Sequence, residues 1–213
     1  MYPIFRLFLL LPFLFSFNIL ANTNQVSTTS QDETHAKLLT KFNYFGKEQG
    51  LEEPTVAHIV EDKLGFIWLS TTNNLYRFDG QEFKVFNSKN NQLSTGFITT
   101  MLVTSDGTLW VGTESGLNKF DVAHEKFIQP KHLNLLDENI WSVFEDNQKR
   151  LWVGTDSGLY ISNSNFEFEF SEFTINNQVI DLKGVKTVHQ DIDNNIWIST
   201  DRGNNYLVNP TLN

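Results

Sequence analysis

Leu109-Trp110-Val111-Gly112-Thr113-Glu114-Ser115-Gly116-Leu117 returns almost unchanged as Leu151-Trp152-Val153-Gly154-Thr155-Asp156-Ser157-Gly158-Leu159. Looser copies stand upstream, Ile67-Trp68-Leu69-Ser70-Thr71, and downstream, Ile196-Trp197-Ile198-Ser199-Thr200. The four tryptophans are spaced 42, 42 and 45 residues apart. Nine residues before each Trp comes Ile59, Met101, Val143 or Val188, and 12 before it comes Val56, Ile98, Ile140 or Val185. Leu51, Leu93, Leu135 and Ile180 stand 17 before, and three residues after each Trp is always Thr. A chain written this way must build one small unit four times, and stack the copies to bury their faces.

A period of about 40 to 45 residues made of short apolar runs suits a four-stranded β-propeller blade. The second copy shows how. Phe97–Val103 reads as a first strand, Asp106-Gly107 as a tight turn using positive φ, and Leu109–Gly112 as a second strand. Glu114-Ser115-Gly116 makes the next turn, Leu117–Phe120 the third strand, and Lys126–Ile128 the fourth. The fold class expected is all-β, with four four-stranded blades in an incomplete, open propeller.

The residue types at repeated places have physical reasons. Trp68, Trp110, Trp152 and Trp197 are expected to fill the space between adjacent blades, where each aromatic buries about 150 to 250 Å². At roughly 25 cal/mol/Å² that is about 4 to 6 kcal/mol gross apiece. Gly112 and Gly154, with Ser70 and Ser199 in their place elsewhere, mark a close backbone approach. Gly116, Gly158 and Gly203 suit a turn needing positive φ, with Asn74 as the tolerant substitute. Thr71, Thr113, Thr155 and Thr200 read as strand-end hydroxyls bonded to backbone, with a channel lining as the rival reading.

Nineteen Phe, five Trp and five Tyr lean the composition toward strand. Net charge is −9, from 16 basic and 25 acidic residues, and no basic cluster occurs, so no nucleic acid is expected as a partner. The absence of cysteine excludes disulfides, thiolate metal sites and a cysteine nucleophile. Residues 1–21, with one charge at Arg6 ahead of an apolar run, read as a signal peptide. An uncleaved anchor is the competing reading, and both export the remainder. Residues 22–40 read as a disordered linker. Residues 41–54 are an orphan outer strand, Lys41–Phe45, with a lead-in, and 55–213 hold repeats at about 55–96, 97–138, 139–184 and 185–213. Nothing follows Leu207-Val208 that reads as a fourth strand of blade 4. The orphan strand is the candidate to fill that gap; unfilled, the open edges invite self-association.

Asp106-Gly-x-Leu-Trp-Val-Gly-Thr-x-x-Gly-Leu-x-x-Phe-Asp121 closely resembles the two-component regulator propeller repeat. Asp62 to Trp68 and Leu75-Tyr76-Arg77-Phe78-Asp79-Gly80 carry the same likeness. The resemblance covers about residues 42 to 208. It implies the periplasmic sensor region of a hybrid histidine kinase or diguanylate cyclase, amino-terminal portion only. It also implies an extracellular or periplasmic ligand, a saccharide being one candidate. The chain is expected to be no enzyme, with any kinase or cyclase activity in a carboxy-terminal part that is missing. The rival readings are a secreted propeller enzyme acting on glycans and a stand-alone interaction module.

Other chemistry-bearing residues read as structural. Asp62, Asp106, Asp146 and Asp191 fall in the turn before the Trp strand, where a carboxylate bonds nearby backbone. Their spacing does not match a sialidase-type Asp box. His35, His58, His124, His132 and His189 share no repeated place and no metal-ligand spacing, so neither metal nor cofactor is expected. Phe166-Glu167-Phe168-Glu169-Phe170 alternates, which gives one apolar face and solvated carboxylates. The joining loops, Asn87 to Gly96, Gln129 to Asn139 and Ser171 to Gly184, are the candidates for ligand contact.

Overall fold

The computed structural model describes residues 42–130, 135–163, 165–175 and 177–208. The signal segment, the linker, Lys41, His132 and the last five residues lie outside them. Apart from Phe42, the described residues belong to one compact unit, Asn43–Asn213.

Blade 1 is formed by β1 (His58–Glu61), β2 (Ile67–Ser70), β3 (Leu75–Phe78) and β4 (Phe83–Phe86). Blade 2 is β5 (Ile98–Val103), β6 (Leu109–Thr113), β7 (Gly116–Asp121) and β8 (Lys126–Ile128). Blade 3 is β9 (Ile140–Glu145), β10 (Leu151–Thr155), β11 (Leu159–Ser162) and β12 (Phe168–Phe170). A two-stranded hairpin, β13 (Thr174–Ile175) with β14 (Gln178–Val179), sits in the loop to blade 4. Blade 4 has three strands among the described residues, β15 (Val185–Gln190), β16 (Ile196–Thr200) and β17 (Asn205–Val208). Every blade is a meander of antiparallel neighbours, the arrangement that short turns between consecutive strands dictate.

Between blades lie three apolar clusters, and one Trp anchors each. Trp68 packs with Phe86 of its own blade and with Phe120 and Phe127 of blade 2, at ring distances of 5.1, 4.9 and 6.4 Å. Trp110 lies among Ile140, Val143, Leu151 and Val153 of blade 3, and Trp152 among Val185, Val188, Ile196 and Ile198 of blade 4. These three are at most 2% exposed, whereas Trp197, on the far face of blade 4, is 45% exposed. Glycine beside the Trp lets the next blade approach. A Cβ at Gly112 would stand 2.7 Å from Ile140 Cγ2, and one at Gly154 would stand 2.7 Å from the Val185 carbonyl oxygen.

The turns between first and second strands stitch consecutive blades together on one side. Lys63 Nζ donates to the Ser105 carbonyl, and Ser105 donates from its N–H and Oγ to Glu145, at 2.7 and 2.8 Å. The Asn147 N–H donates to Gln190 Oε1 at 2.9 Å. Within each such turn the residue three before Trp is left-handed: Gly65, Gly107, Lys149 and Asn194, with φ of 84, 95, 66 and 68°. Asp106 does not share that conformation, and neither does Asn74; Asn74 is held instead by its side-chain amide donating to Glu53. Lys149 is the costly member of the set, because a side chain there crowds the carbonyl. Lys149→Gly is expected to stabilise the chain by about 1 kcal/mol, measured by urea unfolding.

The expected outer strand is not formed. Asn43, Tyr44 and Phe45 join no ladder among the described residues. Phe45 packs edge-on against Phe78 at 4.8 Å, and Tyr44 is 90% exposed. The lead-in then turns through a short 3-10 stretch, Lys47–Gln49, and runs beside blade 1. Glu53 accepts from the Asn73 N–H at 3.2 Å, and the Ala57 N–H donates to the Ser70 carbonyl at 2.8 Å. These contacts hold the segment at the blade 1 end of the row, so it does not supply blade 4 with a strand.

Phe166 also departs from the alternation expected of it. It stands in the turn before β12 at φ 59°, with its ring 5.3 Å from Trp110. Phe168 is buried against the same indole, while Phe170 is 46% exposed.

Candidate ligand-binding face

The turns between second and third strands and the loops that join blades meet on the side opposite the stitched turns, because antiparallel strands return the chain there. The repeated threonines build this side from below. Thr71 Oγ1 donates to the Asn74 carbonyl at 2.9 Å, Thr113 to Gly116 at 3.2 Å, Thr155 to Gly158 at 3.1 Å and Thr200 to Asn204 at 3.4 Å. All four are buried, so they shape turns and present no hydroxyl to a channel. Gly116, Gly158 and Gly203 stand in or beside the same turns, all with positive φ.

Buried polar side chains on the third strands carry the loops. Asn118, fully buried, donates from Nδ2 to Ser94 Oγ at 2.6 Å and accepts the Ser94 N–H at 3.0 Å. Ser94 Oγ also pairs with Thr113 Oγ1 at 2.7 Å. The loop joining blades 1 and 2 is thereby pinned to blade 2. It borders a pocket of about 190 Å³ with Thr72, Asn73, Asn87, Phe97 and Glu114 on its walls. Tyr76 takes the place of Asn118 in blade 1, where burial, then Glu53 and Glu52, raise its phenol above the usual range.

Between blades 3 and 4 the same side holds an aromatic with two opposite charges. Trp141, second residue of β9, donates from Nε1 to Asp156 Oδ1 at 2.6 Å. Lys186, second residue of β15, places Nζ 3.2 Å from the Trp141 ring centre and 3.7 Å from Asp156 Oδ1. Next to it Arg202 pairs with Asp181 at 2.8 Å. Sequence reasoning did not pick out Trp141, since it lies outside the repeated phrase. The available signal was comparative: its place in the other copies is held by Ala57, Thr99 and Lys186.

The acidic residues of the opposite turns have a structural task. Asp62, Asp146 and Asp191 each accept backbone N–H groups of their own turn on Oδ1. Each accepts on Oδ2 the indole N–H of the Trp six residues later, at 2.8 Å. Asp106 sits four before its Trp and serves only its turn, together with Thr104. Among the described residues no group of three or more His, Asp or Glu side chains gathers as a metal site.

Several carboxylates are held below their ordinary range: Asp191 by the Trp197 N–H, Glu125 by Lys84 and Arg77, Asp121 by His124, and Asp79 by the Glu82 and Gln81 N–H groups. In Asp106 burial opposes the shift, and hydrogen bonds from Thr104 and Thr108 outweigh it. A carboxylate whose folded pKa is depressed contributes stability that is complete above its unfolded value, about 4, and lost as pH falls through the folded one. Thermal midpoints are therefore expected to be flat from pH 7 to about 5 and to decline below about pH 4.

Four meandering blades stacked through buried tryptophans define a segment of a β-propeller. Residues 92–115 and 134–157 match the family described as Two component regulator propeller. Those two segments carry the repeat of that family. The two matched segments each run from a joining loop through the Trp strand. Among solved structures, it is similar to the extracellular domains of two hybrid two component systems of B. thetaiotaomicron. One is 24% identical with a TM-score of 0.60, over 76% of this chain and 22% of that one. The other is 21% identical with a TM-score of 0.55, over 79% and 30%. Virginiamycin B lyase from Staphylococcus aureus shares the fold at 14% identity and a TM-score of 0.51, over 75% and 59%. This chain thus spans less than a third of the two component system domains. No curated protein matches it by sequence.

Proposed function

We infer that this chain is an exported, non-catalytic recognition segment of a signal-transduction protein, taking its ligand on the side where the joining loops meet. The observation that carries this reading is the Trp141, Asp156 and Lys186 cluster between blades 3 and 4, on the same side as the polar loop pocket between blades 1 and 2, on a scaffold similar in fold to extracellular domains of two component systems. An aromatic ring with flanking donors and acceptors suits a polar ligand with apolar patches, and a saccharide is the first class to try. The carboxylates there are engaged by protein partners: Asp156 by Trp141 and Lys186, Glu114 by the Phe97 N–H, Asp181 by Arg202. That arrangement serves binding better than proton transfer. Export to the periplasm follows from residues 1–21, with or without retention of that segment as an inner-membrane tether. The kinase or cyclase that reads the signal belongs to a part of the protein beyond these blades.

Calorimetric titration of the full chain with a panel of oligosaccharides tests this reading. Binding that Trp141→Ala abolishes, with no change in the sugar recovered, supports it. Cleavage of the sugar would move the assignment to a glycan-active enzyme.

A further inference from the structure

Blade 2 departs from its neighbours twice, and both departures meet at Trp110. Where the other blades place Asp62, Asp146 or Asp191 to accept the indole N–H, blade 2 has Thr104. The Thr104 hydroxyl is turned to Asp106 and to the Thr108 carbonyl. Trp110 Nε1, on a residue 1% exposed, has no acceptor among the described residues. A buried donor left this way is costly, and such groups call for an explanation.

The second departure is on the outer strand. In blade 1, β4 continues to Phe86, opposite Leu75, and that fully buried ring closes the space beside Trp68. In blade 2 the ladder ends at Ile128, opposite Lys119, and Pro130 follows. Pro has no N–H to extend a ladder. A groove of about 630 Å³ remains on the outer flank between blades 2 and 3, bordered by Trp110, Lys119, Phe127, Ile128, Gln129 and Phe166. Its size is that of a small-molecule site.

The groove carries a positive charge beside apolar walls. Lys119 Nζ lies 4.8 Å from the Phe166 ring centre and 5.8 Å from that of Trp110. Lys119 forms no ion pair among the described residues, although the Asp106 carboxylate feels its charge. Glu167 also borders the groove, and its carboxylate accepts from Asn163 Nδ2 at 2.7 Å.

We propose that this groove binds a small aromatic carboxylate, its ring against Phe127, Ile128 and Phe166 and its carboxylate between the Lys119 ammonium and the Trp110 N–H. Both polar groups are donors, and an anion answers both at once. The groove touches the joining loops only through Gln92, Gln129 and Pro130, and the proposal does not depend on the sensory reading.

Indole-3-acetate, with 3-methylindole as its neutral analogue, tests the proposal by calorimetry on the full chain. The acid is expected to bind at least about tenfold more tightly than the neutral compound. Lys119→Met should bring the acid down to the level of the neutral analogue without moving the melting temperature. Ile128→Glu, at a position 41% exposed, sets a carboxylate against the ligand and gives a second reading should Lys119→Met disturb folding. Absence of binding, equal affinity for acid and neutral analogue, or wild-type affinity in both variants would overturn the assignment.

Discussion

Asp146→Ala is expected to lower stability by about 3 to 5 kcal/mol, because it strips four hydrogen bonds from one buried carboxylate. Oδ1 accepts the Gln148 and Arg150 N–H groups at 2.9 Å, and Oδ2 accepts Arg150 Nε at 2.7 Å and Trp152 Nε1 at 2.8 Å. The Asp146 side chain is wholly buried. Its removal leaves Arg150 without its counter-charge and Trp152 with a buried N–H. Asn at this position keeps one acceptor oxygen and loses the ion pair, so its cost should lie between. At roughly 2 to 4 °C per kcal/mol for a chain of this size, the alanine variant should melt about 10 °C lower. Asp191→Ala makes the control, since the Trp197 it serves is half exposed. Calorimetric melts of the three variants decide the ranking. Equal losses for Asp146→Ala and Asp191→Ala would show that burial does not set the value of this contact.

Trp152→Ala is expected to cost about 3 to 5 kcal/mol, the usual range for emptying an aromatic site in a packed core. The indole is 2% exposed and sits among Leu159, Leu182, Val185, Val188, Ile196 and Ile198. It joins two blades, so its loss loosens blade 3 from blade 4 as well as opening a cavity. Trp197→Ala, at the same place in the repeat, should cost about 1 kcal/mol or less, as exposed substitutions do. The contrast comes from what lies on the indole. Urea unfolding of both variants measures it, and a loss at Trp197 as large as at Trp152 would mean that its face is covered in solution.

The architecture was legible because the repeat is an internal comparison. Trp68, Trp110 and Trp152 recur with apolar flanks, and a sheet meander with inter-blade fillers is the solution that buries them all. Gly112 and Gly154 also spoke plainly, as no side chain fits beneath the next blade. What stayed hidden involves partners distant in sequence or conformations without a residue signature. The pairing of Asp with the Trp six residues later is written in three copies, yet only the geometry shows that the second oxygen takes the indole N–H. Lys149 gives no hint of a left-handed backbone, and Phe45 alternates like a strand while packing as an anchor on Phe78. Trp141 was silent because its meaning depends on Asp156 and Lys186, which come from the turn after the next strand and from the next blade.

Hydrogen exchange of the full chain, with and without oligosaccharides that it retains, tests the recognition reading most directly. Slowed exchange is predicted in residues 87–97, 113–116, 137–141, 155–158 and 181–186, with the sugar recovered intact. Slowed exchange confined to the stitched turns, residues 62–66, 104–108 and 146–150, or conversion of the sugar to product, would contradict it.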